Sequence, residues 1–236
     1  MINLARVKAV MIKERQDIGK NSNILVMYFL PILMTLIWSR IIPNMPQGFA
    51  LGFGLLLLVV MVGMYVPSMM IAEEKEKNTI EVLLLSPATP AEVFIGKGAL
   101  TIILMFFTSI ILIIIGGVEI RLLPVILVGT ILTSIFSVFL GMVVGILSPN
   151  QMATGVIGMP IYLLLLLIPQ LSVMGVEIIN QIGKFLPTYY YFELLRLALE
   201  KGQGWSSMLT HFLIIIMSIV ITFIVLLLVY RRKGFS

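Results

Sequence analysis

Six long apolar stretches dominate the chain, at residues 24–42, 49–72, 98–117, 122–147, 155–175 and 211–230. A helix that crosses the hydrocarbon core of a bilayer needs about twenty predominantly apolar residues, and each stretch supplies roughly that. Because unpaired backbone groups are too costly in hydrocarbon, spanning segments must be helices or a closed barrel. Runs such as Ile102 to Ile115 lack the period-two alternation of barrel strands. The pattern predicts an all-α polytopic membrane protein with about six transmembrane helices, built as a single domain over residues 1–236.

The segments between the spans are unequal. Residues 1–23 interleave Ile2, Leu4, Ala5, Val7, Val10, Met11 and Ile12 with Arg6, Lys8, Lys13, Arg15 and Lys20, which predicts an amphipathic helix at the lipid interface. The connections at 118–121 and 148–153 are long enough only to turn the chain. That leaves residues 73–97 on one side and 176–210 on the other.

Two helix starts are written into residues 73–97. Thr89 and Glu92 have capping-box spacing with Pro90 at the first helical position, so the third span should begin well before its apolar stretch. Asn78 and Glu81 are spaced alike and predict a short helix from Thr79 to about Leu85, stopped by Ser86-Pro87. Two turns are not stable alone in water. Ile80, Val82, Leu83, Leu84 and Leu85 cover more than one face, so this helix needs a surface, either the protein's own membrane end or a partner's groove.

Composition sharpens the picture. Hydrophobic residues make up 60% of the chain and charged residues 11%, against about 45–50% and about 25% in soluble domains. The net charge of +5 gathers at span ends, which argues for topology rather than nucleic-acid binding. Eleven of the sixteen Lys and Arg residues fall on the side holding the N-terminal tail, residues 73–97 and the C-terminal Arg231, Arg232 and Lys233. Both termini are therefore expected in the cytoplasm and the protein in the inner (plasma) membrane. Polar-rich residues precede the first span, and Trp38, Ser39 and Arg40 follow it, so it reads as retained rather than cleaved. Cysteine is absent, and no residue pattern suggests a metal site or a catalytic group. The spans carry almost no ionisable residues, whereas ion-coupled carriers place them at membrane depth; His211 reads as an interfacial histidine. No internal repeat is visible, unlike many secondary transporters.

The run Glu74-Lys75-Glu76 through Thr79, Glu81, Leu83-Leu84, Ser86-Pro87, Glu92 and Gly96-Lys97 closely resembles the signature loop of the type-2 permeases of ATP-binding-cassette (ABC) exporters. Lys13-Glu14 ahead of a first span with Pro31 resembles the family's N-terminal region. Leu186-Pro187-Thr188-Tyr189 with Glu193-Leu194-Leu195-Arg196 is similar to the motif before its last span. Asn78 stands where the family pattern has glycine. The resemblance implies that Thr79, Ile80, Glu81, Val82, Leu83, Leu84, Leu85, Ser86 and Pro87 form a coupling helix, seated on a separate ATPase subunit present in two copies. It also implies a second permease copy, identical or related, and short re-entrant helices within 176–210. ATP and Mg would be bound by the partner. This chain has no Gly-x-x-x-x-Gly-Lys-Ser/Thr loop, because Gly96-Lys97-Gly98 lacks the first glycine and the hydroxyl residue.

Further candidates are positional. Met61, Met64, Tyr65 and Ser68 fall at helical spacing on the second span, with Met159 and Tyr162 flanking Pro160 on the fifth. They read as helix packing or as the lining of an adaptable export path. Tyr189, Tyr190 and Tyr191 fit an interfacial belt and, with Glu193 and Arg196, are candidates for an external gate. The leading reading is a primary-active export permease for an amphipathic or hydrophobic cargo. The alternatives are a secondary carrier or channel, and a non-transporting membrane anchor or sensor. The orientation is directly testable, since single cysteines meet no background thiol. A membrane-impermeant thiol reagent added to intact cells should label a cysteine at position 184 and spare one at position 77; the reverse labelling would invert the topology.

Overall fold

A computed structural model describes residues 2–41, 47–77, 88–173, 175–202 and 205–233. The described residues are almost wholly helical, and none lies in a strand. Helix α1 (Leu4–Lys20) is capped by Asn3, whose side chain accepts from the Ala5 amide. Asn21 closes α1 and caps α2 (Ser22–Arg40) by accepting from the amides of Asn23 and Ile24. The second span is built from α3 (Gln47–Leu57), a π-helical turn (Leu58–Val62) and α4 (Gly63–Glu76). Then follow α5 (Pro90–Gly116), α6 (Leu123–Leu147), α7 (Gln151–Ser172), the short α8 (Glu177–Gly183) and α9 (Pro187–Leu199), and α10 (Leu209–Lys233).

Six helices are long and apolar enough to cross a membrane, in the order the apolar stretches predict. The third outruns its apolar stretch by two turns. Both halves of the Thr89–Glu92 capping box form, and Pro90 takes the first helical position. At its far end Gly117 adopts a left-handed conformation (φ 62°) that stops the helix.

The span made of α3 and α4 lies at the centre of the fold, while α10 exposes much of its length. The most extensive helix contact is between α4 and α6, and α10 covers another face of α6. Two glycines one turn apart explain the first contact. A Cβ on Gly141 would collide with the Met64 carbonyl, and one on Gly145 would lie 2.8 Å from the Ser68 carbonyl oxygen. Backbone therefore rests on backbone, the arrangement that small residues four apart allow in membrane helices. The buried hydroxyls of Thr130, Thr133, Ser134 and Ser148 donate to carbonyls four residues earlier on α6, which pairs these four in the apolar interior, whereas the buried Ser137 hydroxyl has no hydrogen-bond partner among the described residues. Pro67 lies inside α4 just past the π turn. It lacks the amide that would donate to Gly63.

Gly141 thus has a steric duty that Gly155, with nothing within 4 Å of its would-be Cβ, does not share. Gly141→Ala should lower the melting temperature in detergent by an amount equivalent to about 1–3 kcal/mol. Gly155→Ala should be neutral or gain about 0.5–1 kcal/mol from helix propensity. Equal melting temperatures for the two variants would rule out the close contact.

Candidate functional site

The predicted coupling residues Thr79, Ile80, Glu81, Val82, Leu83, Leu84, Leu85, Ser86 and Pro87 lie outside the described residues. The two limbs that bracket them are described, and they meet in a buried cluster of charges. Lys97, about two turns into α5, is 1% exposed; Glu14 on α1 and Glu74 on α4 are each 3% exposed. Such residues are almost never fully buried unless paired. The Lys97 ammonium lies 2.7 Å from Glu14 Oε1 and 2.9 Å from Glu74 Oε1, and donates at 3.3 Å to the Met70 carbonyl. Lys13 closes the cluster at its solvent edge, 3.0 Å from Glu14 Oε1, 3.2 Å from Glu74 Oε1 and 3.3 Å from Asp17 Oδ2. Partial burial lowers the affinity of Lys13 for its proton, but Glu14 and Glu74 outweigh that and hold its pKa above the ordinary lysine value. A lysine raised in this way stabilises the fold below its ordinary pKa and loses that contribution only as the pH climbs through the raised value. Lys13 therefore keeps its charge at neutral pH.

The geometry follows from the helix periods. Val7, Val10, Glu14 and Ile18 form one face of α1 and are its buried residues, so Glu14 sits within an otherwise apolar stripe. That stripe faces the root of α5. A Cβ on Gly96 would lie 2.9 Å from Val10 Cβ and 3.2 Å from the Val7 carbonyl oxygen. Farther along α1, the fully buried Glu92 accepts at 2.7 Å from both the Thr89 and the Asn3 amides and lies 3.8 Å from Arg6. On the other flank, Lys75 donates to the Ile146 carbonyl at 2.6 Å, and Glu76 accepts from the Gln151 amide at 3.0 Å. Lys77 pairs with Glu73. Both limbs are thus anchored where residues 78–87 leave and rejoin the bundle. Removing one partner of a buried ion pair typically costs about 3–5 kcal/mol, whereas replacing the whole cluster by well-packed apolar groups is often neutral. Such a cluster fixes geometry more than it adds net stability.

Lys97 and Glu14 are conspicuous in the sequence as charges, but their meeting is not. The signal is a glutamate on the buried face of an amphipathic helix together with a lysine inside the apolar start of a span, each costly without the other.

The candidate path residues divide. Ser68 and Tyr162 are buried and their hydroxyls lie 3.3 Å apart, while the Tyr65 ring meets Tyr162 edge-on at 6.5 Å. Gly158 makes room for this, since a Cβ there would lie 2.7 Å from Tyr162 Cε2. Met61 is half-buried nearby on the π turn. Met64 is fully buried against α6, and Met159 is 58% exposed.

At the opposite end of the bundle, Tyr191 is fully buried, and its hydroxyl lies 2.8 Å from that of Thr130 on α6. Tyr189 and Tyr190 are half-buried; Tyr190 donates to the Lys184 carbonyl and stands edge-on to His211. Arg196 lies 3.1 Å from Glu193 and 3.7 Å from Glu200. The three tyrosines therefore occupy two environments, with Tyr191 in the core and its neighbours at the periphery. Among the described residues, no group of His, Cys, Asp or Glu is arranged to hold a metal.

A search of curated proteins finds no significant match. The family model described as ABC-2 family transporter protein matches residues 41–228. That range holds five of the six spans, both limbs of the buried cluster and the tyrosine-bearing helix α9. The chain is a multi-pass membrane protein that belongs to the ABC-2 transporter family.

Proposed function

We propose that the chain is the membrane permease of an ATP-driven exporter, moving an amphipathic or hydrophobic cargo out of the cytoplasm. Two separate ATPase subunits bind ATP and Mg and hydrolyse the nucleotide. A second permease copy completes the pathway. Both termini and residues 78–87 face the cytoplasm, α1 lies at the lipid interface, and α8 and α9 dip into the outer leaflet. Membership of the family supports this reading. The observation that carries it is the buried joint of Lys97, Glu14 and Glu74, which braces both limbs of the loop expected to meet the ATPase. A loop with no mechanical duty would have no need of such a foundation.

The cargo path runs past the Tyr65, Ser68 and Tyr162 cluster, with Met61 and Met159 adding adaptable thioethers. Met64 supports the path from behind. On the external side, Tyr189 and Tyr190 with the Glu193–Arg196 pair form the gate, and Tyr191 anchors that gate to α6.

The docking role of residues 79–85 is tested by replacing Leu83 and Leu84 with Asp. A groove contact would then bury unpaired carboxylates, at a cost of several kcal/mol. The variant should insert, express and remain monodisperse in detergent, yet no longer co-purify with its ATPase. Retained association and normal transport would show that this segment packs elsewhere.

A further inference from the structure

Three elements meet at one nitrogen atom. Lys97 belongs to α5, Glu14 to α1 and Glu74 to α4, and the Lys97 ammonium touches both carboxylates. The chain leaves α4 after Glu76 and rejoins the bundle at Pro90, so Lys97 bridges the two limbs of the loop to each other and to the N-terminal helix. Other ties join α1 to α5 without Lys97: Glu92 accepts from the Asn3 amide and lies 3.8 Å from Arg6, and Val7 and Val10 seat on Gly96. Between α1 and α4 a second tie, from the half-exposed Lys13 to Glu74 at 3.2 Å, lies at the solvent edge of the same cluster. Fold stability alone is a poor reason to bury this many charges, because apolar residues of similar volume serve as well. What charges at these distances do supply is a single fixed spacing.

We infer that Lys97 is a positioning residue that locks α1, α4 and α5 into one rigid unit, so that movement imposed on the loop reaches the second and third spans together. Without it the limbs splay and absorb the movement. The inference rests on the coupling function proposed above, and it makes α1 a working part of the coupling apparatus rather than a passive float on the bilayer.

The test uses the permease reconstituted with its ATPase in vesicles, with transport and ATP hydrolysis measured together. Lys97→Met keeps the side chain's bulk and removes its charge. It should co-purify with the ATPase in the parental ratio and hydrolyse ATP at the parental rate, while cargo moved per ATP falls about tenfold, the scale of a coupling element of 1–2 kcal/mol. Amide hydrogen exchange gives the second readout: it should quicken along α1 and over the last turns of α4, Ile71 to Glu76, in Lys97→Met relative to the parent. Parental coupling in Lys97→Met, or lost coupling with parental exchange at both places, overturns the inference. Should the single variant not fold, Lys97→Met with Glu14→Gln and Glu74→Gln removes the charges together and should show the same loss of coupling and the same faster exchange; parental values there overturn it as well. If the parental chain binds no ATPase, the function proposed above fails instead. The rigid unit is then judged by hydrogen exchange of the permease alone, where equal exchange in parent and Lys97→Met overturns it.

Discussion

Close approach of α4 to α6 is the contact around which the bundle is arranged. Inside a bilayer the hydrophobic effect cannot press helices together, since lipid tails are as apolar as leucine; association depends on packing and on interhelical polar contacts. Gly141 and Gly145 bring the backbone of α6 onto Met64 and Ser68. The buried hydroxyls of Thr130, Thr133 and Ser134 on that helix turn back to its own carbonyls, and that of Thr130 also meets a partner on α9. With α4 held there, α7 packs on α4 itself, α2 and α9 pack on α3, and α10 covers another face of α6. The central span is buried because it is the one against which the others are fitted.

This contact also decides where irregularity can be tolerated. The π turn and Pro67 interrupt the regular hydrogen-bond ladder of the second span. Broken ladders are admissible at membrane depth only where protein surrounds them, and Leu58, Val59, Val60 and Val62 are buried throughout the turn. Below it, α4 runs rigidly along α6 to the charged end. The irregular turn, Tyr65 and Ser68 therefore sit on the same span that carries Glu74 near its end. A displacement at one end of α4 has a direct mechanical route to the other.

Much of this was legible in the residues, and the reasons are local. The six spans follow from length and hydropathy. The early start of α5 follows from Thr89, Pro90 and Glu92, whose interactions span only three residues. Tyr191 shows what local reading cannot provide. Beside Tyr189 and Tyr190 it looks like one member of an interfacial belt, yet its partner is Thr130, far away in the sequence. The same holds for Glu14 and Lys97, separated by eighty-three positions. Each is an ordinary solvated charge until the fold brings them together.

The charged joint and the glycine contact answer opposite needs. Along most of its length the bundle is held by dispersion and shape, forces that are short-ranged but forgiving of small sliding. At the end where chain segments outside the spans attach, sliding would pull buried charges off their partners and leave them unpaired in a low-dielectric interior, which is costly. The rest of that end is also tied by polar contacts, through Lys75 to Ile146 and Glu76 to Gln151. A transporter must let its spans move against one another while still transmitting force. An adaptable membrane interior joined to a stiff charged base separates those two requirements along the length of the same helices.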